Sequence, residues 1–507
     1  MATMPRLTRF IPRNRQQRLL IGVGALVLVA ILFLSLAYES GWGDEGGGNG
    51  GGAPTGPKVP PYVMEDGANY AVQDAFQGSN EPSIAVSLTD PSNMVGGSND
   101  YATPTSDAWV GYYWTFDGGK RWEKGLIPGY PNGPVSALTG FEAAGDPVVA
   151  AGPGGEFYFA GIAFKRSTPN LGRSSSIFVA KSTDGGRSFG QVSMVAQSLT
   201  MATFHDKEWI ACDPNNGNVY VSWTMFNGPE SSIMFSRSTD GGRTFSRPWT
   251  LLSDIRAREF QTQGSQVVVA RDGTVHVTWI EFATDTEGVH RYTRSTDGGQ
   301  TFSDVVDIGP VTYITSPLPN GGYRTPTLPS LAVDNTGGPL DGSVYIAWND
   351  MREGNADAFL MASHDAGLTW GEQVRVNDDD LNATTDQFFP AVCVGGNGTV
   401  CVSFYDRRDD SNNTLLKYYM AQSVDGGATF LPNFPLSSVQ FDGNAAGGRR
   451  KGGVFSGTPF MGDYTAVAAA PGFCIAIWCD TRDGTAEAPN SDIYVARVTY
   501  APVGKAP

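Results

Sequence analysis

Apolar and polar residues alternate along most of this chain with a period of two, in short runs interrupted by glycine, asparagine or aspartate. Residues 219–223 (Val-Tyr-Val-Ser-Trp), 274–279 and 343–348 are three such runs. Each follows a shorter apolar run across a turn containing Gly or Asn, the pattern of two strands joined by a hairpin rather than of a helix. Seven such pairs occur, the last formed by residues 463–470 and 473–478, with a further strand at 492–497. The 64 glycines and 32 prolines among 507 residues agree with many short strands and tight turns. The fold class is all-β, and residues 62–500 carry it.

The N-terminus breaks this pattern. Residues 1–18 hold Arg6, Arg9, Arg13, Arg15 and Arg18, and residues 19–38 form an uncharged apolar run long enough to cross a bilayer as a transmembrane helix. Acidic Glu39, Asp44 and Glu45 follow, so the positive-inside rule places the N-terminus in the cytoplasm and the remainder outside, tethered to the membrane. The competing reading is a signal peptide cleaved near Ser35-Leu36-Ala37, which would release a secreted protein. Residues 39–61 read as a Gly/Pro-rich linker and residues 501–507 as a tail. The net charge of −16 excludes nucleic acid as a partner, because phosphate backbones demand clustered Lys and Arg. Five cysteines leave one unpaired within the chain. Cys393 and Cys401 fall opposite each other on a hairpin, where a local disulfide is expected, while Cys474 and Cys479 read as core residues.

One eight-residue signature fixes the architecture. It appears as Thr115-Phe116-Asp117-Gly118-Gly119-Lys120-Arg121-Trp122, as Ser182-Thr183-Asp184-Gly185-Gly186-Arg187-Ser188-Phe189, and again at 238–245 and 295–302, with looser copies at 363–370 and 423–430. The Asp carboxylate can accept N–H groups of its own turn, and the glycines supply positive φ. The unit resembles the Asp box of the sialidase-like, BNR-repeat β-propellers. The resemblance implies boxes on the turn between the third and fourth strands of each blade, on the face away from any active site. Asp117, Asp184, Asp240, Asp297, Asp365 and Asp425 are thus structural. Seven strand pairs imply seven blades, with six as the competing count. The seventh lacks a fourth strand, which part of residues 62–76 is expected to supply, closing the ring.

Two offsets point to chemistry on the opposite face. Strand B of three consecutive blades ends in the same Asp-x-Arg: Asp350 with Arg352, Asp406 with Arg408, Asp480 with Arg482. Three arginines converging on one carboxylate are what a sialidase uses, and the guanidinium fork suits that task. The residue opening strand A reads Glu81, Asp146, Glu208, Gly264, Leu328, Phe389 and Asp463 in blades 1 to 7. Four are acidic and form one arc, which should share a proton, pair with arginine or bind a cation. Glu208 and Asp463 are the candidate metal ligands. No cofactor is required, and a structural calcium is the one ion considered, with residues 377–380 and 406–413 as further acidic loops.

The resemblance implies a sialidase-like glycoside hydrolase acting on acidic glycans or glycoproteins. Asp100 or Asp146 would be the acid/base, Tyr464 the nucleophile activated by Glu81, and Arg352, Arg408 and Arg482 the clamp. The family's Phe/Tyr-Arg-Ile-Pro motif has its nearest counterpart at Tyr323-Arg324-Thr325-Pro326, which adds Arg324 to the binding set. The alternative is a non-catalytic surface propeller binding glycan or protein. The two differ in whether the arginines meet a pocket or are each tied to their own Asp.

Overall fold

The computed structural model describes residues 70–71, 78–101, 108–165, 175–198, 203–247, 249–253, 261–447, 458–485 and 487–500. The expected cytoplasmic segment, membrane helix and linker (residues 1–61) and the tail lie outside these residues. Among the described residues no helix is long and apolar enough to cross a membrane.

Seven antiparallel sheets follow one another along the chain. The first six each run from an inner strand A outward through B and C to D in sequence order: blade 3, for example, is Thr203–Cys212, Val219–Asn227, Glu230–Ser238 and Thr250–Leu251. Neighbouring inner strands pack in sequence, and strand A of blade 7 returns to strand A of blade 1, so seven is the blade count and six is set aside. In blade 7, Ala466–Ala470, Phe473–Asp480 and Asp492–Thr499 are joined by Tyr70–Ala71, with Tyr70 opposite Val495. The ring thus closes with a strand from before the first blade, as the missing fourth strand required.

The B strands of blades 1, 5, 6 and 7 are buried along their whole length, on both faces, because each sheet is sandwiched between two others. Trp223, Trp279, Trp348 and Trp478 occupy equivalent places near the end of strand B and are fully buried. Strand A carries a bulge in blades 1 to 4 and 6. Its first residue has positive φ: Glu81, Asp146, Lys207, Gly264 and Phe389. This corrects the alignment in blades 3 and 7. Lys207, not Glu208, is the counterpart of Glu81 and Asp146, and Gly462 (φ 92°), not Asp463, takes that conformation in blade 7.

The six boxes are built alike. In blade 3, Asp240 Oδ1 accepts the N–H groups of Arg243 (3.0 Å) and Thr244 (2.9 Å), while Thr244 Oγ1 donates to Oδ2 (2.6 Å). Ser238 Oγ donates to Oδ1 and accepts the Gly242 N–H. These bonds hold the Asp240 carboxyl down to about 2, with the Thr244 hydroxyl first among them. Since the turn is on the surface and remote from strand A openings, Asp240→Ala should cost about 1 kcal/mol in urea unfolding and leave any ligand binding unchanged.

Cys393 and Cys401 are directly opposite in the register, as expected, but both thiols are free. The expected disulfide is replaced by a buried sulfur cluster in which Cys474 joins them and Cys474 Sγ approaches Met420 Sδ at 3.7 Å.

Candidate functional site

The bulge at the start of strand A turns the first bulged residue toward the propeller axis, and this builds the site. Lys207 Nζ meets Asp463 Oδ2 at 2.5 Å, Asp146 Oδ2 at 2.8 Å and Glu81 Oε1 at 3.3 Å. Blades 1, 2, 3 and 7 therefore meet in one ion cluster. Arg324, on the connection between blades 4 and 5, closes it from outside: Nε and Nη2 each lie 2.5 Å from an oxygen of Asp463. Asn99 braces the acids, donating to Glu81 Oε2 (2.7 Å) and accepting the Asp146 N–H (3.0 Å). The acidic arc is resolved chiefly by a lysine that the sequence offsets left unmarked.

Burial and the like charge of Asp146 raise Glu81 and Glu208 well above the usual carboxylate range. The same two causes push Asp206 up to about 7. Asp463 goes the other way: burial opposes ionisation, yet Arg324 and Lys207 hold it down to about 2. Lys207 stays charged despite burial because Asp146, Asp463 and Glu81 surround it. Folded Asp206 keeps a proton that an unfolded aspartate loses near pH ~4. The folded state therefore binds more protons between about pH 4 and 7, and stability falls as pH rises through that window. Glu81 and Glu208 act in the same direction. Urea midpoints across this range should decline in the native protein and decline less in Asp206→Asn.

Tyr464 lies against this cluster with its hydroxyl donating to the Pro147 carbonyl (3.1 Å) and its ring meeting Trp209 edge-on at 6.0 Å. Burial first, then Glu81 and Asp146, raises its phenol further. A cavity of about 30 Å³ opens beside it, lined among others by Asp146, Lys207, Glu208, Trp209, Phe389 and Tyr464. Asp100, at the end of strand B in blade 1, is not among its lining residues.

The three arginines do not converge. Arg352 closes on Asp350 through Nε (2.9 Å) and Nη2 (2.5 Å), and Arg482 on Asp480 through Nε (3.0 Å) and Nη2 (2.6 Å). Arg408 holds Asp406 through Nε (2.7 Å) and also Asp378. Each guanidinium is further covered by an aromatic ring of its own blade, Phe359, Tyr419 or Tyr494. Blade 4 makes a related bridge with Glu281 and Arg291 (2.7 Å), which the Asp-x-Arg spacing could not reveal. Among the described residues no group of three or more His, Cys, Asp or Glu is arranged to hold a metal ion.

Six Asp boxes on one face, with every inner strand opening onto the other, decide what kind of propeller this is. The fold is a seven-bladed propeller with an Asp box in six of its blades. No protein-family model matches the chain, and no curated protein does. Solved structures similar to this fold include a Hadza microbial sialidase (15% identity, 77% of this chain and 73% of that one, TM-score 0.44). An α-L-arabinanase of Penicillium chrysogenum is similar over 69% of this chain and 94% of its own (14% identity, TM-score 0.47). The intramolecular trans-sialidase of Ruminococcus gnavus is similar over 86% and 98% (13% identity, TM-score 0.40).

Proposed function

We propose that this chain is a glycan-directed propeller displayed outside the membrane, and that it holds its ligand without hydrolysing it. The observation that carries this reading is the state of the three arginines. A sialidase-type clamp needs guanidinium forks free to meet a substrate carboxylate. Here Arg352, Arg408 and Arg482 each close on an Asp of their own blade, with side chains only 28%, 16% and 15% exposed. The axial cavity of about 30 Å³ also falls far below the ~300–1,000 Å³ typical of small-molecule pockets. The glycan part of the reading rests on the Asp-box resemblance, and the extracytoplasmic, membrane-tethered part on the basic segment 1–18 followed by the apolar run 19–38.

The hydrolase reading keeps one observation of its own, carboxylates pushed apart at the axis, with Asp463 near 2 and Asp206 near 7, as acid and base partners often are. In that reading Asp146 and Glu81 would supply proton transfer, yet Tyr464 as nucleophile would first have to leave the Pro147 carbonyl. Fluorogenic sialosides and other glycosides, tested beside a glycan array, separate the two. We expect no turnover and saturable binding to one glycan class. Turnover that disappears in Arg408→Ala would establish the hydrolase instead.

A further inference from the structure

The axial cavity contains a group that the fold leaves unsatisfied. Glu208 is 2% exposed, and both of its carboxylate oxygens are buried without a hydrogen-bond partner. It lines the cavity beside Asp146, Lys207 and Asp463, and the Lys207 ammonium is bonded to Glu81, Asp146 and Asp463 rather than to Glu208. Five carboxyl groups, Glu81, Asp146, Asp206, Glu208 and Asp463, share the axis with two cationic side chains, Lys207 and Arg324. Three aromatic side chains, Trp209, Phe389 and Tyr464, line the cavity together with Glu208. Trp209 and Tyr464 stand edge to face and both are half-buried.

A carboxylate beside aromatic faces is the surrounding that recognises an organic ammonium. Size agrees: a water-sized group needs about 10–15 Å³ of such space, so a cavity of about 30 Å³ admits an –NH3+ head and not a sugar ring. A divalent cation such as calcium asks for about 6–8 oxygen ligands, and no such grouping occurs among the described residues.

We propose that this cavity binds the ammonium head of a primary amine, the chemistry of an exposed lysine side chain or of a free polypeptide N-terminus, with Glu208 as its charge partner. The proposal deepens the binding reading above by naming what the face recognises, and it makes that ligand cationic rather than acidic. Glu208 must give up its proton to pair with the amine. The charged and titratable groups facing it are Asp146, Asp206, Lys207 and Tyr464. Because burial and Asp146 raise Glu208, binding tightens as pH rises and releases a proton.

Calorimetric titration of the full chain with n-butylamine tests this, with n-butanol and calcium chloride as comparisons. The expected result is saturable amine binding, no binding of the alcohol, and about tenfold or greater weakening in Glu208→Gln. Glutamine keeps the volume without the charge, and thermal unfolding checks that the variant is folded. Nα-acetyl-lysine amide against glycinamide tells a side-chain amine from a chain terminus. Amine binding that is absent, or unchanged in Glu208→Gln, overturns the proposal, as does tight calcium binding lost in that variant. The glycan array keeps the two claims apart: glycan binding without amine binding removes only this inference, and amine binding without glycan binding removes only the glycan assignment.

Discussion

Replacing Lys207 with methionine should lower the unfolding free energy by about 3–5 kcal/mol, the usual consequence of removing one partner from a buried ion pair. The ammonium is the shared counter-charge of Asp146, Glu81 and Asp463. Methionine fills much of the volume but leaves these acids facing one another. They can respond by taking up protons, so the loss should be smaller near pH 5 than near pH ~8, where uptake is harder. Urea unfolding at both values reads this directly. A change under about 1 kcal/mol at the higher pH would mean that the acids are neutralised in some other way.

Arg407→Met should be comparably damaging, again about 3–5 kcal/mol. Arg407 is fully buried, and its guanidinium reaches Asp386 Oδ2 (3.2 Å), the Pro319 carbonyl (2.7 Å) and the Tyr323 hydroxyl (2.9 Å). It thereby ties the connection between blades 4 and 5 to blade 6, and that connection carries Arg324 to the axial cluster. Asn320 and Asn444 add a second tie at the surface. The substitution should therefore lower stability and also loosen Arg324 from Asp463, while Arg324→Met alone, at a side chain 42% exposed, should cost far less. Equal losses for the two would contradict this order.

What the sequence revealed and what it hid divide along a physical line. The Asp box is local, its bonds spanning two to four residues, so six copies could be recognised from spacing alone. Ring closure by a strand near Tyr70 followed from counting strands, because a blade with three strands leaves an edge. The ion cluster joins positions 81, 146, 207, 324 and 463, and no local pattern announces such distant partners. The bulge added a second obstacle: by setting two residues, Lys207 and Glu208, against the single Trp223, it exchanged the roles of Lys207 and Glu208. The Asp-x-Arg repeat was visible, but a spacing of two fits an arginine reaching outward as well as one folded back onto its Asp. The two choices differ only in side-chain torsions. Arg407 and Arg408 show the same limit, since adjacent residues on one turn face the interior and the blade's own edge respectively.

Arg352, Arg408 and Arg482 are bridges within their blades and not a shared substrate clamp. A double-mutant cycle on Asp406 and Arg408, read by urea unfolding, tests it most directly. The expected result is a coupling energy of about 1–3 kcal/mol between Asp406→Ala and Arg408→Ala, with ligand binding unchanged in Arg408→Ala. Negligible coupling together with loss of ligand binding or turnover in Arg408→Ala would contradict it and return the arginines to a clamp.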